Sequence, residues 1–196
     1  MKIKKRLILA SSSRFRQQQL KHLQLPFEAI KPEFEEYPLF NETAAQTALR
    51  LAAGKAHSVA EQFPEALIIG CDQVAWCNNR QLGKPLSVAK AQQMLASVSG
   101  QELIFYSAIV LFNPAENRLH QHVDETRVLM RKLTLTQIDH YLRLEPDAIY
   151  CAGAAKSEGL GALLIKRIHS TDPNALIGLP IFHLIDFLLA EGIDIL

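Results

Sequence analysis

Ala66-Leu67-Ile68-Ile69-Gly70-Cys71-Asp72-Gln73-Val74-Ala75-Trp76 is an apolar run broken by one polar pair. The run reads as a buried strand, and a carboxylate beside an amide inside such a strand is expensive unless both are hydrogen-bonded or functional. Asp72 is read as lying at the end of the apolar stretch, and in open α/β sheets ligands gather at the carboxyl ends of strands. A carboxylate there can hold a divalent ion or accept a proton from an attacking water. It can equally serve as a buried acceptor for nearby backbone N–H groups.

Outward from this strand the chain alternates strand and helix signals. Leu7 to Ala10 predicts a short buried strand, and Ser13 caps a helix running to about His22 with Leu20 and Leu23 turned inward. Phe27 to Ile30 predicts a second strand, Lys31 to Asn41 a surface loop, and Glu42 to Phe63 one long helix closed by Pro64. After Asp72, a turn at Asn78-Asn79-Arg80 leads into Gly83-Lys84-Pro85 and a helix over Val88 to Val98, ended by Gly100. Two strands near Leu103 to Phe112 and Arg118 to Leu129 form a hairpin about Pro114, and a helix over Thr134 to Leu144 is capped by Thr134 or Thr136. A Gly-rich loop from Gly153 to Gly161 follows, then a strand near Leu163 to Ile168, a loop at Thr171-Asp172-Pro173-Asn174, and a last helix from Leu179 to Leu189. The class is α/β with a mixed sheet. No repeat or flexible linker interrupts residues 1–196, which predicts a single domain with any lobes in one unit.

Composition narrows the function. The 196 residues carry 21 basic and 20 acidic side chains, so nothing resembles the strongly basic balance of a protein that holds polymeric nucleic acid through its phosphates. Cys71, Cys77 and Cys151 are odd in number and form no C-x-x-C pair, which argues against disulfides or a thiolate zinc site and fits a reducing cytoplasm. The basic start Met1-Lys2-Ile3-Lys4-Lys5-Arg6 precedes an apolar run too short for a signal peptide, and no stretch approaches the roughly 20 apolar residues that span a membrane.

The chemistry-bearing residues are spread along the chain. Ser11-Ser12-Ser13-Arg14-Phe15-Arg16 lies between a strand and a helix, where free N–H groups, the Ser11 hydroxyl and the Arg16 guanidinium can hold phosphate oxygens. The same segment also reads as a plain serine cap. Glu33, Glu35 and Glu36 form an acidic loop run that is ordinarily solvated, and Glu36 completes a hard-metal site with Asp72 if the loop folds over it. Lys55 and Lys84 can neutralise phosphate charge, although each taken singly reads as a surface lysine. Gly83-Lys84 is no Walker A loop, since Asn78 stands where its first glycine belongs. His120 and His122 share a strand face with no third ligand and read as surface histidines. No G-x-S-x-G elbow occurs, and the cysteines lack a marked activating partner, so covalent catalysis has little support.

In order and spacing, Leu9-Ala10-Ser11-Ser12-Ser13-Arg14-Phe15-Arg16, Glu35-Glu36, Lys55-Ala56, Gly70-Cys71-Asp72-Gln73-Val74, Gly83-Lys84-Pro85, Cys151-Ala152-Gly153 and Gly178-Leu179-Pro180 resemble the Maf family over essentially the whole chain. The resemblance implies an α/β fold of the Maf and ITPase-like kind: an elongated mixed β-sheet flanked by helices, with two lobes around a deep cleft. It further implies a metal-dependent nucleoside triphosphate pyrophosphatase, with Mg, Mn or Co as the divalent cation, a nucleoside triphosphate as the small-molecule partner, and a homodimer, as is common in the family. By the same resemblance Asp72 is the proton acceptor and shares the metal with Glu36, while Arg16, Lys55, Lys84 and Ser11 bind phosphates.

Phe15, Gln73 and Glu158 resemble the family's 7-methyl-GTP branch. An ionised Glu158 can accept N–H bonds from a guanine edge, and Phe15 can stack on a methylated, cationic purine. The chain departs from the branch at Cys71, Ser13-Arg14 and Ala154-Ala155. A dTTP/UTP or broad-specificity pyrophosphatase, and a septation-linked nucleotide-binding regulator, are the alternative readings.

Overall fold

The computed structural model describes residues 5–37 and 39–195. The basic start at Met1–Lys4 and Pro38 of the predicted loop therefore lie outside the described residues. Among those residues the elements run β1 (Leu7–Ala10), α1 (Arg14–Lys21), β2 (Glu28–Ile30), α2 (Ala44–Ser58), β3 (Leu67–Cys77), β4 (Arg80–Leu82), α3 (Val88–Val98), β5 (Glu102–Asn113), β6 (Arg118–Met130), α4 (Leu135–Leu144), β7 (Ile165–His169) and α5 (Ile181–Ala190), with short 3-10 turns between them. One seven-stranded sheet in the order β2-β1-β3-β5-β6-β7, with β4 paired to β3, makes the chain α/β with a mixed sheet. β1 is parallel to β2 and β3, whereas β3–β4 and β6–β7 are antiparallel. By its contacts the chain divides into two compact units, Met1–Gln73 with Ser107–Asp124 and Asp172–Leu196, and Val74–Tyr106 with Glu125–Thr171.

In the first unit, alternation along β1 and β3 sends Leu7, Leu9, Leu67, Ile69 and Cys71 into one cluster with Leu20, Ile109, Leu111, Leu184 and Leu188. Burial of each such aliphatic side chain contributes about 1.5–3 kcal/mol, so this cluster is the main clamp on α1 and α5. The Ser13 hydroxyl accepts the Arg16 N–H, which starts α1 where the serine pattern predicts. Thr43 and Gln46 form a capping box at the start of α2. The predicted long helix is shorter than its apolar spacing suggested: α2 ends at Ser58, and a separate 3-10 turn covers Ala60–Gln62.

In the second unit, Asn78 and Asn79 adopt φ of 48° and 57°, the left-handed pair of a two-residue hairpin turn. They fold β4 back onto β3 with Cys77 opposite Arg80, a strand that the sequence reading missed. Ser87 caps α3 and Thr134, with Gln137, caps α4. The Gln92 side chain donates to Asp139 at 2.7 Å between these helices.

Candidate active site

The site begins with an absent side chain. A Cβ on Gly70 would fall on the Ala52 main-chain oxygen, so only glycine lets α2 lie this close to β3. That approach buries Lys55, which is 8% exposed, and sets its ammonium 2.5 Å from Asp72 Oδ1. Gly54 acts likewise on the neighbouring loop: a Cβ there would collide with the Phe34 ring, and with Phe34 docked the loop brings Glu36 Oε1 to 2.7 Å from Lys55 Nζ. Lys55 is thus a clasped cation between two carboxylates, which corrects its reading as a surface lysine, while Glu36 stays exposed and reaches it from the loop.

Asp72 also sits differently from expectation. It is the sixth residue of the 11-residue β3, in the middle of the strand. The parallel pairing with β1, however, stops at Ala10 and Gly70, so Asp72 lies just beyond the carboxyl end of the parallel ladder, level with the serine loop. Apolar character could not reveal this, because the antiparallel half of β3 is equally buried. Burial pushes the Asp72 carboxyl above the usual aspartate range, against the opposing pull of Lys55 and Arg16.

The serine loop is ordered from within. The Ser13 N–H donates to Ser11 Oγ at 3.2 Å, leaving the Ser11 hydroxyl proton to act as a donor. Arg16 is locked rather than solvated: Nε donates to Gly178 O at 3.0 Å and one terminal nitrogen to Cys71 O at 2.9 Å. Phe15, half-buried, carries the Arg14 guanidinium 5.2 Å from its ring centroid. Gln73 points its amide nitrogen at Ser107 Oγ, Ala175 O and Leu176 O, at 2.8, 3.1 and 3.0 Å.

These bonds expose residues that sequence reasoning missed. The segment from Asp172 to Gly178 turns its carbonyls toward Gln19, Arg16, Gln73 and Ser107. Fully buried Asp172 holds that segment, accepting from Asn174 N and Nδ2 and from Phe182 N, each at 2.8 Å. It thereby caps α5 from ten residues upstream, where Pro180 has no capping side chain. Thr171-Asp172-Pro173-Asn174 carried the turn signal but none for the cap. Ser107, fully buried in an apolar strand, was findable by the same rule that singled out Asp72.

Lys84 and Glu158 belong to the second unit and are exposed. Glu158 rides on a loop pinned by Tyr141, whose hydroxyl accepts the Lys156 N–H at 3.0 Å, and by Glu145, which takes the Lys156 ammonium at 2.9 Å and the Leu160 N–H at 3.1 Å.

The remaining nucleophile and metal candidates resolve simply. Burial raises the Cys71 thiol to about 11 and the Cys151 thiol to about 12, so neither is a thiolate at neutral pH. His120 and His122 are half-buried, correcting their reading as surface residues. His120 Nε2 lies 2.9 Å from Glu191 Oε1, and the His122 ring stacks on His183 with centroids 3.4 Å apart, because α5 covers that strand face. Among the described residues no group of three or more His, Cys, Asp or Glu side chains could hold a metal. Asp72 and Glu36 are hard oxygen donors, and each turns one oxygen to the Lys55 ammonium. Two carboxylates completed by substrate phosphates and water suit Mg²⁺-like ions, which seldom use all-protein cages.

A mixed α/β sheet, a serine loop at the end of its parallel ladder and an acid–lysine–acid cluster beside it define a phosphate-handling protein of the Maf type. The family model for Maf-like proteins matches residues 6–191, and the chain belongs to the Maf family. Within it the chain is similar to the 7-methyl-GTP pyrophosphatases of Neisseria gonorrhoeae, at 58% identity over 97% of both chains, and Chromobacterium violaceum, at 51% over 97% of this chain and 98% of the relative. The enzyme of that name from Aliivibrio fischeri is 43% identical over 97% of this chain and 98% of its own.

Proposed function

We propose that this protein hydrolyses 7-methyl-GTP to 7-methyl-GMP and diphosphate, keeping a modified nucleotide out of nucleic acids. The observation that carries the reading is the Lys55 ammonium clasped by Asp72 and Glu36 beside the serine loop, in a chain similar over nearly its whole length to enzymes named for this reaction. Water attacks the α-phosphorus, the bond to the bridging oxygen of the β-phosphate breaks, diphosphate leaves, and Asp72 takes the water's proton before passing it to solvent. Burial makes Asp72 a better proton acceptor than an ordinary aspartate. Asp72 and Glu36 would hold a divalent cation, Mg, Mn or Co, which would supply positive charge at the triphosphate and acidify the attacking water. Lys55 and Lys84 neutralise developing phosphate charge, Arg16 adds its fixed positive field, and the Ser11 hydroxyl donates to a phosphate oxygen. Phe15 stacks on the cationic base, while Gln73 and Glu158 meet its hydrogen-bonding edge.

The cytoplasm, where thiols stay reduced, suits the three free cysteines. Among the described residues no helix is long and apolar enough to cross a membrane.

Diphosphate release measured with 7-methyl-GTP, GTP, dTTP and UTP in Mg²⁺, Mn²⁺ or Co²⁺ tests the reading. Preference for 7-methyl-GTP is expected, together with loss of turnover in Asp72→Asn at an unchanged melting temperature. Equal or better pyrimidine turnover refutes the substrate, near-normal Asp72→Asn rates remove Asp72 from the chemistry, and tight binding without release favours a nucleotide-binding regulator.

A further inference from the structure

We infer that Ser107 is a positioning residue that, together with the Ala175 and Leu176 carbonyls, holds the Gln73 amide in one orientation, making its carbonyl oxygen a fixed acceptor for an N–H edge of the substrate base; the part about the base rests on the guanine-nucleotide reading above.

The amide end that faces Ala175 O and Leu176 O meets two main-chain carbonyls, which only accept, so it must be the NH₂ end. A flipped amide would set Oε1 against both carbonyls. Of the three partners of this amide nitrogen among the described residues, Ser107 is the one whose hydroxyl can both donate and accept. Its proton is already committed to Ala175 O at 2.7 Å, so toward Gln73 it acts as an acceptor at 2.8 Å. Ser107 is fully buried in the middle of β5 and has no solvent with which to exchange that bond. Gln73 Oε1 is then turned away from this cluster and makes no hydrogen bond among the described residues. The N1–H of guanine is the complementary donor, whereas N1 of adenine bears a lone pair and opposes an acceptor. Asp172 supports the lock by holding the segment that provides the two carbonyls.

Two measurements on the full chain test this separately. In the substrate-free protein, the Gln73 side-chain amide protons followed by ¹⁵N NMR are expected to exchange slowly in the parent and in Ser107→Thr, which keeps the hydroxyl, and about tenfold faster in Ser107→Ala, the effect of one net hydrogen bond. Unchanged exchange in Ser107→Ala overturns the lock whatever the substrate. In steady-state kinetics, the preference for 7-methyl-GTP over ATP, as a ratio of kcat/KM, is expected to fall about tenfold in Ser107→Ala, chiefly through a higher KM for 7-methyl-GTP, and to recover in Ser107→Thr. Equal losses on both nucleotides, or a loss confined to kcat, overturn the positioning role in favour of a structural one. A parent enzyme without preference for 7-methyl-GTP refutes the guanine reading and the role of Gln73 Oε1 toward the base, while the exchange measurement still decides the lock.

Discussion

Asp72 is pulled in two directions: burial disfavours its charge, whereas Lys55 and Arg16 favour it. Its carboxyl is therefore raised less than burial alone would raise it, and Lys55 is the main brake. Because the proposed reaction needs the carboxylate, activity is expected to be lost as pH falls through the raised value, with an acid limb above that of an ordinary aspartate. Lys55→Met removes the brake and also strips Glu36 of its partner. The acid limb of kcat/KM is expected to move to higher pH, with kcat at neutral pH lowered by about 10²-fold. A pH–rate profile reads both, and an unmoved acid limb would detach Lys55 from Asp72. For stability the dependence runs the opposite way: a raised carboxyl contributes stability at low pH that is lost as pH rises through the folded value, so the ionised Asp72 is a strain the rest of the fold absorbs.

At the scale of elements, two glycines place the site. Gly70 faces main chain, so a Cβ cannot be accommodated without moving α2 off β3. Gly54 faces the Phe34 ring, so there the loop yields rather than the helix. Gly70→Ala is accordingly expected to cost about 1–3 kcal/mol of stability, read by chemical or thermal unfolding, in proportion to the repacking it forces. Gly54→Ala is expected to spare most stability while displacing Glu36. It should lower kcat/KM by about tenfold or more and raise the divalent ion concentration needed for half-maximal activity. Equal stability losses in the two variants would show that the loop and the helix move together.

At the scale of the molecule, Glu191 gathers parts of the chain far apart in sequence. At the end of α5 its carboxylate accepts from Arg118 Nε at 2.7 Å and Asn113 Nδ2 at 2.6 Å, lies 2.9 Å from His120 Nε2, and is 3.9 Å from Lys5 Nζ. Its side chain is fully covered, and the Arg118 hydrogen bond, with those of His120 and Asn113, lowers its carboxyl to about 2. A depressed carboxyl contributes stability above its unfolded value that is lost as pH falls through the folded one, here from about 4.5 to about 2. Glu191→Gln is expected to lower stability at pH 7 by about 3 kcal/mol, a gap that closes on acidification toward pH 2. Denaturant unfolding across that range checks it, and a gap independent of pH would assign the loss to packing alone.

What the sequence determined by itself was local or cumulative. Ser13, Ser87 and Thr134 announce their helices because a cap acts on N–H groups three residues away. The α/β class follows from the alternation of apolar runs, and the family from many weak motifs in one order. Asp72-Gln73 stood out because polar groups in an apolar strand need a reason. The tertiary structure alone decided what those groups touch. Lys55 became a buried cation only through the closeness that Gly70 permits, Arg16 a strut through Gly178, and Gln73 a locked amide through carbonyls 102 and 103 residues further on. His120 and His122 became half-buried once α5 lay over them. A side chain's burial and its hydrogen-bond polarity are set by whichever distant segment packs against it, and no spacing rule within a few residues of chain can encode that.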